Sequence, residues 1–212
     1  MAAANDDGIA IIDISTPESP THVISIVDDA ARALEQTYGV AIATIDGSTY
    51  VVAVGYVDDG IAIIDISTPA SPVYVGEIED DADKELNGPA GVAVETIGGL
   101  TYAIVVSEKD SAVTVIDITT PSDPTIVATV YDDAVKELGG AKAVSIATIG
   151  DSIYAVVSGW NDDGIEIIHL YTESTITITS SSGSSGDTVD SDILSYTAVS
   201  YTHLTLPTIY SV

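Results

Sequence analysis

The stretch DDGIAIIDISTP occupies residues 6–17 and recurs without a change at residues 58–69. A looser copy, DSAVTVIDITTP, spans residues 110–121, and a fourth, DDGIEII, starts at Asp162 and then leaves the pattern. The central aspartates Asp13, Asp65 and Asp117, with His169 at the fourth position, each lie 52 residues beyond the last. A strict period without insertions marks a repeat architecture, in which each unit buries its apolar face against the next.

Around the motif, Gly8–Ser15 alternates as a strand and residues 15–20, STPESP, form a turn, because proline fixes φ and supplies no ladder donor. Thr21–Val27 reads as a second strand. Asp28-Asp29 then opens a connector, AARALEQTYG, for which one or two helical turns with an aspartate cap are expected. The next unit is complete, with strands expected over 40–45, 49–57, 61–67 and 73–78, followed by the connector DDADKELNGP. A further unit covers 91–96, 100–107, 112–118 and 125–131, and after DDAVKELGGA come strands over 143–149, 152–158 and 164–168.

Short connections favour antiparallel neighbours, so each unit is expected to be a four-stranded meander. Strands such as IAIIDI and YVVAVGY carry small or branched apolar residues on both faces, as sheets covered on both sides require. Such meanders stacked around an axis make a β-propeller; a sandwich would not demand the period. The fold class expected is therefore all-β, a partial, open propeller. Residues 39–79 and 91–131 make whole blades, Gly8–Val27 supplies the outer two strands of another, and 143–168 gives three strands of a fourth.

Composition agrees. The chain has 212 residues, 46% of them hydrophobic, with no Phe, one Trp and one Met; its apolar residues are mainly Ile, Val and Ala. β-branched side chains pack well on pleated surfaces. A formal net charge of −28 argues against nucleic acid and anionic membranes as partners, and fits solubility in salty water. Without cysteine there are neither disulfides nor thiol chemistry. No apolar run approaches the ~20 residues of a membrane-spanning helix. The N-terminus, MAAANDDG, lacks signal-peptide features, and the repeats lead us to expect a start inside a longer gene.

The IAIID, IAIID and VTVID strands, each followed by an (S/T)TPxxP turn, resemble the LVIVD-repeat β-propellers of bacteria and archaea over residues 5–169. The resemblance implies a propeller, a secreted or cell-surface setting, and a binding or scaffolding role. It carries no catalytic residues across.

Beyond Ile168 the pattern calls for Asp-Ile-Ser-Thr-Pro, but the chain reads HLYTE. Bases encoding the expected residues, read from the third base of the Asp codon, can encode His-Leu-Tyr-Thr. His169–Glu173 is thus expected to be a frame-shifted copy of the motif. Residues 170–198 are expected to be a Ser/Thr/Gly-rich linker or out-of-frame tail. Val199–Thr208, VSYTHLTLPT, resembles a translated sequencing-library adapter, so residues 199–212 are set aside.

The recurring polar groups are the Asp-Asp turns. Asp6-Asp7, Asp58-Asp59, Asp110 and Asp162-Asp163 hold one repeat position; Asp28-Asp29, Asp80-Asp81 and Asp132-Asp133 hold another. They are expected to make turns on their own backbone and to cap the connectors. Asp58, Asp59, Asp110, Asp162 and Asp163 are also a possible weak calcium site, although no DxDxDG loop is present. Asp13, Asp65 and Asp117 are expected to tie down the free N–H groups of the following turn. Tyr50, Tyr102 and Tyr154 are expected to pack in the core or between blades. Trp160 is expected to pack as well, with a loop-tip ligand contact as the alternative.

No G-x-S-x-G elbow, phosphate-cradling loop or His/Cys cluster is present, so no catalytic residues are assigned and no cofactor is expected apart from possible calcium. Three functions remain. The first is a non-catalytic interaction scaffold for a protein or glycan; the second is a calcium-binding surface module; the third is a fragment of a propeller enzyme whose active site lies in other blades.

Overall fold

The computed structural model describes residues 2–3, 7–29, 32–81 and 84–170; within them there is strand and turn but no helix. The tail beyond residue 170, with its linker and adapter-like segment, and Asp6 lie outside the described residues.

The strands fall into sheets in the order the period predicts. The first sheet joins β1 (Ala2–Ala3), β2 (Gly8–Asp13) and β3 (Thr21–Val27). The second is a full meander of β4 (Thr37–Ile45), β5 (Ser48–Gly55), β6 (Gly60–Asp65) and β7 (Val73–Glu79). The third repeats it with β8 (Pro89–Ile97), β9 (Leu100–Ser107), β10 (Ala112–Asp117) and β11 (Thr125–Tyr131). The fourth has β12 (Ala141–Ile149), β13 (Ser152–Gly159) and β14 (Gly164–Leu170). Every pairing is antiparallel. β1 adds to the first sheet a short strand that the sequence reading omits.

The irregularities repeat too. Between the third and fourth strands of a blade the register slips at Ile11/Ile12, Ile63/Ile64 and Val115/Ile116. The first strand slips at Thr37/Gly39, Pro89/Gly91 and Ala141/Ala143. An extra residue at a fixed place increases local twist, which suits blades that must fan around an axis.

The first strands β4, β8 and β12 lie side by side. They come close at Gly39, where an added Cβ would stand 3.2 Å from the Gly91 Cα, and at Gly91, where it would stand 2.9 Å from the Lys142 carbonyl oxygen. Only glycine lets the two backbones meet so closely.

The core lies between blades rather than within them. One cluster joins Val52, Val54, Ile61 and Ile63 of the second blade to Ala103, Val105, Ile116 and Ile118 of the third. Others join the first blade to the second through Ile9, Val51, Ala53 and Ile64, and the third to the fourth through Ile104, Val106, Ala155 and Val157. The arc does not close. On β4, Val40 and Ile42 are 37% and 57% exposed, whereas their counterparts Val92 and Val94 pack into the core. On β14, Ile165 and Ile167 are exposed where Ile61 and Ile63 are fully buried.

Candidate functional site

In each meander the connector and the turn between the second and third strands lie at one end, and the other two turns at the opposite end. The Asp-Asp turns and the connectors therefore meet. Three consecutive connector N–H groups find carboxylates there. Leu34 donates to Asp28 at 3.3 Å, Glu35 to Asp58 at 2.7 Å and Gln36 to Asp7 at 3.1 Å. One repeat later Leu86, Asn87 and Gly88 donate to Asp80, Asp110 and Asp59 at 2.9, 2.8 and 2.7 Å. Then Leu138, Gly139 and Gly140 donate to Asp132, Asp162 and the Ser111 hydroxyl at 3.2, 2.6 and 3.0 Å.

This arrangement corrects the expected helical connector. Its N–H groups are taken by side-chain oxygens, carboxylates and in one case the Ser111 hydroxyl, instead of by carbonyls four residues back, and Leu34, Leu86 and Leu138 are pulled fully into the core. The Asp-Asp turns do more than fold their own backbone: they fasten one blade to the next. Asp7, Asp59 and Asp163 hold positive φ, with Ser111 in the equivalent place. Of the candidate calcium ligands, Asp58, Asp59, Asp110 and Asp162 each accept a connector N–H. Among the described residues no three His, Cys, Asp or Glu gather around one point suited to a metal.

At the opposite end, Asp13, Asp65 and Asp117 each accept the N–H two residues on, from Ser15, Ser67 and Thr119, all at 2.8 Å. The expected role holds, and it explains why the strands stop at these aspartates. Their carboxylates are not deeply buried, however, and Asp13 is exposed. Tyr50 and Tyr102 pack against core clusters as expected. Tyr154 instead stacks on His169, with ring centroids 4.9 Å apart. Trp160 corrects the packing expectation: it is 73% exposed.

Crowded carboxylates shift one another. Burial, then Asp58, raises the Asp28 pKa. Burial raises that of Asp110, with Asp80 and Asp59 adding to it. Hydrogen bonds from Ser15 and Ser67 lower Asp13 and Asp65, and the side-chain bond to Lys136 brings Asp133 down to about 2. A carboxyl raised on folding opposes folding once ionised, so its cost appears as pH climbs from the unfolded value through the folded one. A lowered carboxyl supports folding above the unfolded value, and that support is lost as pH falls through the folded one. With a net charge of −28 added, the melting temperature is expected to rise as pH falls from 7 to about 5, and to drop below about pH 3. Salt near 1 M, with a Debye length of about 3 Å, should also raise it at pH 7. Thermal melts followed by circular dichroism check both; a midpoint indifferent to salt and highest at alkaline pH contradicts the account.

Five residues that the motif reading passed over stand at the same end. Tyr38 and Tyr56 rings lie 4.9 Å apart at 44°. The Lys109 ammonium sits 4.6 Å from the Tyr56 ring centroid and that of Lys142 6.0 Å from it. Lys109 pairs with Asp59 at 3.1 Å, and Lys142 pairs with Glu108. Burial and Glu108, to which the Tyr56 hydroxyl is bonded, raise the Tyr56 pKa. The signal that could have found them is their failure to repeat: Tyr56, Glu108 and Trp160 occupy one repeat position, and Tyr38, Ala90 and Lys142 another.

The fold defined by these sheets is an open β-propeller arc of repeated blades. The LVIVD repeat model matches residues 2–28, 49–80 and 98–132, so the chain carries LVIVD repeats over those segments. No curated protein matches it. Among solved structures, a candidate 6-phosphogluconolactonase from Bacteroides uniformis is similar with a TM-score of 0.56 at 17% identity, over 81% of this chain and 52% of that one. A Lactobacillus plantarum protein is similar with a TM-score of 0.51 at 15% identity, over 81% and 53%. The chain thus spans about half the length of both. At these identities the likeness concerns the fold.

Proposed function

We propose that the chain is a non-catalytic part of a secreted or cell-surface repeat propeller and serves as an interaction scaffold for a protein or glycan. The observation carrying this reading is where the non-repeating side chains stand. Tyr38 and Trp160 are 46% and 73% exposed on an open rim, whereas enzyme sites are typically enclosed clefts. The repeating carboxylates are engaged in holding connectors. Because one structural neighbour is a candidate lactonase, the test is turnover. The purified chain, incubated with 6-phosphogluconolactone, simple lactones and chromogenic glycosides, is expected to give no rate above background. Hydrolysis that disappears in Glu108→Gln would overturn the scaffold reading and favour a propeller enzyme. Calcium tuning through Asp58, Asp59, Asp110, Asp162 and Asp163 is the second reading, motivated by the density of carboxylates at that end; calorimetric heat that a chelator removes would support it.

A further inference from the structure

The period supplies an internal control: what recurs every 52 residues builds blades, and what departs from it at one place is free for something else. All five basic residues of the chain are ion-paired. Three of them recur. Arg32, Lys84 and Lys136 each pair with the aspartate three residues earlier, Asp29, Asp81 and Asp133, and so belong to the connector. Lys109 and Lys142 have no basic counterparts; the equivalent residues are Val57 and Asn161, and Tyr38 and Ala90. Both nevertheless converge on one ring, that of Tyr56, which is itself a departure from the repeat. Independent departures from two blades meeting at one spot are not required by the fold.

We propose that this rim, formed by Tyr38, Tyr56, Glu108, Lys109 and Lys142 with Trp160 at the same end of the fourth blade, binds a neutral carbohydrate. The proposal rests on the scaffold reading and names its ligand class. The exposed rings of Tyr38, which rests against half-buried Tyr56, and Trp160 offer flat apolar faces with a polar tip, matching the C–H face of a pyranose ring. Sugar hydroxyls both donate and accept hydrogen bonds. The rim presents both partners, as ammonium donors on Lys109 and Lys142 and carboxylate acceptors on Glu108 and Asp59. These charges cancel locally, while the net charge of −28 repels polyanionic chains. The ion pairs and the Tyr38–Tyr56 contact also hold the side chains before a ligand arrives, which lowers the ordering cost of binding.

The chain contains a single tryptophan, so its emission reports on Trp160 alone. Full-length protein is titrated with laminarihexaose, cellohexaose, mannohexaose and xylohexaose, with an alginate hexamer as the anionic comparison and a random-peptide pool as the protein-like one. At least one neutral hexaose is expected to shift the emission saturably. Tyr38→Ala and Tyr56→Ala should each weaken its binding about tenfold or more, a difference of about 1.4 kcal/mol. Lys84→Ala, paired outside the rim, should bind as the parent does, and circular dichroism verifies that each variant is folded. The proposal falls if no neutral hexaose produces a shift or a calorimetric heat. It falls equally if binding survives both tyrosine substitutions, if alginate binds more tightly, or if only peptides bind. None of these outcomes touches the scaffold reading, which fails on turnover instead.

Discussion

Leu86→Ala is expected to lower the unfolding free energy by about 3 kcal/mol, the middle of the range for leucines removed from packed cores. Leu86 is fully buried, and it comes from the connector between β7 and β8. It fills the space between Val52, Val54, Ile61 and Ile63 of one blade and Val105, Ile116 and Ile118 of the next. Both walls of that space are sheets fixed by their hydrogen-bond ladders, so neither can relax far into the void. Urea unfolding followed by circular dichroism measures the loss. A loss under about 1 kcal/mol would mean that the blades close over the gap, and that the connector leucine is not the plug described here.

The second large effect separates hydrogen bonding from charge at Asp110. Its Oδ2 accepts the Asn87 N–H at 2.8 Å, while Asp80 and Asp59 crowd it electrostatically. Asp110→Ala leaves that part-buried N–H without an acceptor, at an expected cost of about 1–3 kcal/mol. Asp110→Asn keeps an oxygen in place and removes one of the crowded charges. It should stay within about 1 kcal/mol of the parent, and fare best at low ionic strength where repulsion is least screened. Equal losses in the two variants would show that the negative charge itself holds the connector.

Much of the fold was legible because strands and turns are local. Alternation, Pro-rich turns and the period placed Thr21–Val27, Leu100–Ser107 and Thr125–Tyr131 at their observed bounds. The connector departs from its local pattern for a physical reason. Asp28, alanines and Leu34 resemble a capped helical turn, yet the acceptors for Glu35 and Gln36 lie 23 and 29 residues away, at Asp58 and Asp7. No window of local propensity contains that information. Trp160 departs from expectation similarly: aromatic residues usually pack, but its repeat position is a rim that holds Tyr56 and Glu108 in other blades. Motif reading looks for what recurs, and the rim is made of what does not.

The spacing of the connector bonds bears on how such a chain can grow. Each connector is held by one side chain from the blade before it, an aspartate or Ser111, and by one aspartate from the blade it enters. Duplicating any 52-residue window, wherever it is cut, therefore restores every donor opposite an acceptor. Lengthening the array needs no compensating substitution, and only its two ends carry the cost. The two unchanged copies of DDGIAIIDISTP are what such copying leaves behind, and the rim is where the copies have been free to diverge.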